Sequence, residues 1–477
     1  MRWCRRNPWK AAAYAVTVAF AAAISYDLWH IPVQISDSLG EILDAQRSPS
    51  TLASFVNTFS GVAYFRPMRI AQIKAVFDLA HGHYHLAYRG FHIALLTSLL
   101  VLFTRALRVD TARDLVAAVF ALTVLIGLHT FIAFVREAFP INHFLEIAVL
   151  CLGAVALAQS RGGWAVDLLA AVLFVVAALT LESGVLVWVV LAGAWLAGLR
   201  GVSGRAVIGV TALLAGYFVL RFGLLHTGLP GLTERSAGFL FERLEPDELE
   251  RRFGAAPLMF YAYNVAASFG SVLFSEPRDG VLSATKAFLE GEVPPHIWLA
   301  LLTSIPTTLI IAVWGVRRVW IGPSDGTDGG DSAWRLALIG ALVLPANAAI
   351  SYAYTKDEIV AVAGVFYAFA AFAAVRTLLG HAAAAPRAMA TTVTAVLFAL
   401  ACGWAIRTVG VDHVLRWQAF RVRNDWTLVR QRMEAESRWP SEPERVALIR
   451  TIEASALATR VPNPNRLPEW NNRWFRD

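Results

Sequence analysis

Charge is scarce in this chain: Asp, Glu, Lys and Arg make up 16% of its 477 residues. A soluble protein of this length carries about a quarter. With 57% hydrophobic residues, the deficit excludes an ordinary soluble domain. Cysteine is scarce too. Cys4, Cys151 and Cys402 stand far apart, two of them inside apolar runs. That excludes a disulfide framework and a cysteine-built zinc site. Lysine occurs only at Lys10, Lys74, Lys286 and Lys356, so arginine carries most of the net charge of +7. On a membrane protein such a balance points to membrane lipids with anionic headgroups, and nucleic acid is not suggested. The arginine bias hints at a GC-rich bacterial genome. The chain shows no internal repeat, so an inverted-repeat transporter is not favoured.

What is present is a succession of apolar runs of about 20 residues, the signature of an all-α polytopic membrane protein. The run 11–30 is too long and too aromatic at its end for a simple signal peptide. No small-residue cleavage site follows, so it is expected to stay as the first span. The basic start MRWCRRNPWK places the N-terminus in the cytoplasm. Further spans are expected near 86–104, 115–135, 143–158, 165–181, 184–198, 206–225, 297–316, 334–351, 358–376 and 390–407. That makes about 11 transmembrane helices, with the C-terminus outside. The apolar stretch 257–274 is short and interrupted by Tyr261, Tyr263, Asn264 and Ser268. It is expected to dip into the bilayer or lie on it, which also leaves Arg317 and Arg318 inside; the alternative is a true span. The organisation is then a transmembrane domain over 1–408 and a polar, mostly helical tail over 409–477. A large first outer loop spans 31–85 and a second spans 226–296.

The first loop is much longer than a helix connection requires. It holds Asp37, the run Tyr64-Phe65-Arg66-Pro67 and the histidines His81, His83 and His85, with His92 just beyond. Ionisable residues at the membrane are costly and are functional candidates by default. On this topology Asp37, Arg66, His85, His92, His129, Glu182 and Lys356 fall at one outer level. Asp37 reads as a general base or metal ligand, or as the N-cap of an interfacial helix over 38–46. Arg66, held extended by Pro67, suits bidentate phosphate binding or lipid-phosphate snorkelling. His85 and His92 share a helix face. They read as metal ligands or as interfacial packing, and no third carboxylate accompanies them. Glu182 stands alone in an apolar hairpin. Lys356 is placed to neutralise a phosphate, or to pair with Asp357 or Glu358.

These motifs resemble the GT-C superfamily of glycosyltransferases that use polyprenyl-phosphate sugars, and within it the transmembrane O-mannosyltransferases. Phe65-Arg66-Pro67-Met68 is similar to that family's Tyr-Arg-Pro-Leu run. Tyr84-His85-Leu86-Ala87-Tyr88 and His92 are similar to its Tyr-His-Leu-Val-Asn and later His. Leu181-Glu182-Ser183-Gly184 stands where the family has Lys-Glu-X-Gly, and Tyr354-Thr355-Lys356 loosely matches a late basic motif. The chain departs from the pattern at Tyr88, Leu181 and Lys356. It has a single Asp37 where an acid pair is expected, and it lacks tetratricopeptide repeats.

The resemblance implies an inverting transfer of a hexosyl or pentosyl group from a polyprenyl-phosphate donor. The acceptor is a hydroxyl of a glycan, lipid or protein at the periplasmic face of a bacterial inner membrane. Asp37 would take the hydroxyl proton, and Arg66 and Lys356 would hold the departing phosphate. Glu182 and His92 would orient or support them, and His85 would belong to the substrate-binding residues. Some relatives use a divalent metal (Mg or Mn); nothing in this sequence demands one. Rival readings are a transporter or flippase for a lipid-linked glycan precursor, a polymerase or ligase of the O-antigen type, and a non-catalytic assembly protein.

Overall fold

A computed structural model describes residues 7–30, 37–60, 64–136, 140–321 and 328–421. The chain begins with α1 (Pro8–His30), α2 (Asp37–Arg47), α3 (Thr51–Asn57), α4 (Pro67–Ala80) and α5 (Tyr84–Leu107). Next come α6 (Ala112–Gly127), α7 (Ile132–Arg136), α8 (His143–Ala158), α9 (Trp164–Thr180), α10 (Leu186–Leu196) and α11 (Gly204–Phe218). A hairpin of β1 (Ala237–Phe239) and β2 (Glu242–Leu244) precedes α12 (Pro246–Phe253), α13 (Pro257–Phe274) and α14 (Ser283–Glu290). The chain closes with α15 (Pro295–Ile321), α16 (Asp328–Ile350), α17 (Ala361–Ala384) and α18 (Arg387–Arg421). Among the described residues, eight helices are long and apolar enough to cross a membrane, or nine if the bent pair α6–α7 is one span. The apolar helices α8, α9 and α10 are shorter. The protein is an all-α polytopic membrane protein. The tail beyond Arg421, residues 322–327 and residues 31–36 and 61–63 of the first loop lie outside the described residues.

The bundle is built around α17, whose most apolar stretch is 72% buried, against 17% in α11 and α18. Its Ala- and Gly-rich sequence AVAGVFYAFAAFAAV lets neighbouring helices approach closely. Gly340 on α16 lies where a Cβ would stand 3.2 Å from Phe366, and Phe369 stacks on Phe103 of α5 at 4.6 Å.

Two kinds of connection close the bundle. One end carries short turns, where Asn7 meets Asp110 and the Gly201 amide bonds to the Ala158 carbonyl. The other carries every long link and is called here the loop end. The expected span 115–135 is broken by 67° between α6 and α7. Leu128 leaves the helix in an extended conformation, which turns His129 inward at the loop end. Gly127 permits the close approach there, because a Cβ on it would stand 2.9 Å from the Trp404 carbonyl of α18.

The helix α13 satisfies the length and composition of a span, yet its contacts hold it at the loop end. Its polar stripe reaches the link between α16 and α17: Asn264 donates to the Tyr352 carbonyl, and Ser268 lies 3.4 Å from the Thr355 hydroxyl. α15 sets Thr308 against Tyr367 and Trp314 against Thr377 of α17, so the two helices run in the same direction from the loop end. α13 finishes beside the first half of α15, where Ser304 donates to the Phe274 carbonyl at 2.6 Å. Of the polar interruptions in this stretch, Tyr261, Asn264 and Ser268 meet the 352–355 link, while the Tyr263 hydroxyl donates to the Gly280 carbonyl and accepts from the Leu240 amide.

The segment 242–253, a charged amphipathic piece in sequence, divides into β2 and α12. The hairpin pairs Ala237 with Leu244 and Phe239 with Glu242. It closes a small apolar cluster of Leu232, Leu244, Leu249, Phe253 and Phe260.

Candidate functional site

The first loop is a folded layer. Pro67 occupies the first turn of α4, where no amide hydrogen bond is lost, and Arg66 before it keeps a non-helical backbone (φ −136°, ψ 56°). Phe65 is buried against Phe59 and Tyr217. That anchor fixes the backbone from which Tyr64 and Arg66 extend, and the Arg66 guanidinium lies 4.7 Å from the Tyr64 ring centroid.

Opposite stands the hairpin between α9 and α10. A 3₁₀ turn, Glu182–Val185, is pressed so closely onto α9 that a Cβ at Gly184 would stand 2.0 Å from the Ala177 carbonyl. Only glycine fits there, and the close packing fixes Glu182. Arg66 meets the Glu182 carboxylate at 2.7 Å through one terminal nitrogen, and its Nε donates at 3.0 and 3.1 Å. Arg221 meets the same carboxylate at 3.1 Å and donates to the Tyr217 hydroxyl at 2.9 Å. Arg221 is carried by a π-helical turn, Val219–Leu224, that continues α11. Such turns recur at functional sites because they re-aim one side chain. One carboxylate thus holds two guanidiniums, and the group keeps one positive charge in excess.

The cationic surface extends from this centre. The Tyr64 hydroxyl donates to Glu234 at 2.8 Å. Burial, and then that hydrogen bond, raise the Tyr64 phenol above its ordinary value. Arg235 and Lys356 lie over the Tyr354 ring, at 5.5 and 5.9 Å from its centroid. Lys356 forms no ion pair among the described residues, because its neighbour Asp357 faces His129 instead.

A second cluster surrounds that histidine. Nδ1 of His129 lies 2.9 Å from Asp357, and its Nε2 donates to the Ser271 carbonyl at 2.9 Å. The Asp357 amide donates to Asp279 at 3.2 Å. Burial would raise the Asp357 carboxyl, but His129 and Arg278 outweigh it and hold the group below the usual carboxylate range. Nearby, Glu276 accepts from the Ala284 amide at 2.9 Å, and burial pushes its carboxyl up to about 7.

Of the residues singled out in sequence, Arg66 and Glu182 are in direct contact, and Lys356 lies over Tyr354, which acts electrostatically on Tyr64 beside Arg66. The histidines stand apart. His85 bonds the Trp29 carbonyl at 2.8 Å and packs on the Trp29 ring, which ties α5 to the end of α1. His92 is buried and bonds the Phe134 carbonyl at 2.6 Å. Asp37 opens α2, one turn before Glu41, which pairs with Arg69 of α4. Its side chain lies outside the described residues. Among the described residues no group of three or more His, Cys, Asp or Glu is arranged to hold a metal ion.

Sequence reasoning missed Arg221, Glu234, Arg235, Glu276 and the trio Gln72, His143 and Glu146. For Arg221 the signal was available: an arginine near the end of an otherwise apolar run. Comparison with protein-family models, with curated proteins and with solved structures finds no match.

Proposed function

We propose that this protein is an integral-membrane glycosyltransferase. It moves a sugar from a polyprenyl-phosphate donor to an acceptor hydroxyl at the extracytoplasmic face of a bacterial inner membrane. The observation that carries the reading is the Glu182 centre, where Arg66 and Arg221 share one carboxylate and retain positive charge for an anion. Its place at the loop end suits a lipid whose tail stays in the bilayer while its phosphate lies at the boundary. In this reading the chain crosses eleven times, with the N-terminus in the cytoplasm and α13 on the active face.

The proposed chemistry is a single displacement. The acceptor oxygen attacks the anomeric carbon from the face opposite the phosphate, and Asp37 takes the acceptor's proton. The bond from the anomeric carbon to the phosphate oxygen breaks, and polyprenyl phosphate leaves with the electron pair. Negative charge grows on that phosphate in the transition state, where fixed cations act most strongly. Arg66 and Arg221 meet it first, and Lys356 and Arg235 extend the positive surface toward Tyr354. Glu182 fixes the orientation of both guanidiniums. A divalent metal, which the resemblance allows, has no assembled ligand set among the described residues.

The test is transfer by the purified full-length protein in lipid nanodiscs, with radiolabelled polyprenyl-phosphate hexose as donor and an envelope extract as acceptor. Release of free polyprenyl phosphate together with labelled acceptor supports the reading. Activity with sugar nucleotides alone overturns it. Movement of intact donor across a vesicle bilayer, with no transfer, would favour the flippase alternative.

A further inference from the structure

We infer that Gln72 and His143 form a hydroxyl-accepting subsite for the sugar of the lipid-linked donor. This rests on the glycosyltransferase reading and adds where the sugar ring is held. Glu146 of α8 is the key to the geometry. It accepts from Gln72 Nε2 at 2.6 Å and from His143 Nδ1 at 3.0 Å. A carboxylate can only accept, so these contacts fix the Gln72 amide orientation and the His143 tautomer. Gln72 Oε1 and His143 Nε2 are left as acceptors, and neither has a hydrogen-bond partner among the described residues, although both atoms are buried. The His143 side chain is only 3% exposed.

Buried acceptors without a donor are rare and call for an explanation. What fits two of them is a neutral group carrying two O–H donors, as a sugar ring does; an anion would be repelled. The location suits the proposal. Gln72 lies six residues along α4 from Arg66, about 9 Å of helix. Arg66 and Arg69 both act electrostatically on His143. In this proposal the ring attached to a phosphate at Arg66 reaches Gln72 and His143.

The experiment compares affinity for undecaprenyl phosphate with affinity for its hexose-charged form. It uses the purified full-length protein, Gln72→Leu and His143→Gln, with thermal unfolding checked for each. The wild type is expected to prefer the charged lipid, and each variant to lose about five- to tenfold of that preference, one hydrogen bond's worth. Affinity for the bare lipid should stay unchanged. Equal loss for both lipids would mean a structural role, and an unchanged preference would mean that the acceptors hold only internal water. Either result overturns the subsite. A wild type that binds both lipids equally also overturns it while leaving the phosphate site standing, whereas binding of neither lipid overturns the glycosyltransferase reading itself.

Discussion

Two charged clusters share the loop end of the bundle, and they balance their charges differently. Around Glu182 one carboxylate faces two guanidiniums, so positive charge is left over. Around His129 the charges are met from within: Asp357 faces the imidazole, Arg278 offsets the acids, and Glu276 is driven by burial to hold its proton up to about 7. A cluster that compensates itself braces the α6–α7 bend, α13 and the 352–358 link. A cluster with an excess cation is the one we propose for an anion. The contrast separates scaffold from candidate site without any comparison to relatives.

The largest expected effect is on the excess-charge side. Arg66→Ala should lower transfer by about 10²- to 10³-fold, the usual cost of losing one preorganised donor to the developing charge. An initial-rate measurement checks it, with folding judged by thermal unfolding. Glu182→Gln should act on stability as well as on rate. It leaves Arg66 and Arg221 facing each other with no counter-charge, at a cost of about 2 kcal/mol once the partial exposure of the site is allowed for. A lowered melting temperature is the readout.

His129→Ala should do the opposite of Arg66→Ala. It is expected to cost about 1–2 kcal/mol by leaving Asp357 without its partner, while transfer stays within about threefold. A large loss of rate at unchanged stability would break the comparison.

Glu276 adds a pH dependence. Its folded-state value of about 7 lies above the ordinary carboxylate value, so across that interval the folded chain holds a proton that the unfolded chain has lost. Stability should therefore fall as pH rises through that window and level off above it. The groups facing Glu276 are Arg278, His129, Asp357 and the Ala284 amide. Glu276→Gln should flatten the slope in unfolding scans between pH 5 and 8. The smallest effect is at Lys356. Lys356→Ala should weaken donor binding about twofold, and less at high salt.

Much of this was legible in the sequence. The apolar runs gave helices, most of them of spanning length because a bilayer imposes that length on a crossing, with α8, α9 and α10 shorter. Pro67 and Gly184 are local constraints, and each held a predicted site residue, Arg66 or Glu182, where the other could reach it. The break at Leu128 was not legible. It is set by the fit of α6 against α18 at Trp404, a contact between positions almost three hundred residues apart. For His85 and His92 the sequence left metal ligation and interfacial packing open, since a histidine that bonds a backbone carbonyl has the same spacing as one that awaits a substrate. His143 and Glu146 are neighbours one turn apart on α8, but Gln72 lies on α4 with no motif linking it to them, and its convergence on the pair is a property of packing.

The central claim is that the Glu182 centre binds a lipid-linked phosphate. The most direct measurement is undecaprenyl phosphate binding to the purified wild type, Arg66→Ala and His129→Ala in nanodiscs. The account predicts equal binding by wild type and His129→Ala, and at least about tenfold weaker binding by Arg66→Ala, the loss of one charged hydrogen-bonding group. Equal affinity in all three proteins, or no binding by the wild type, would contradict it.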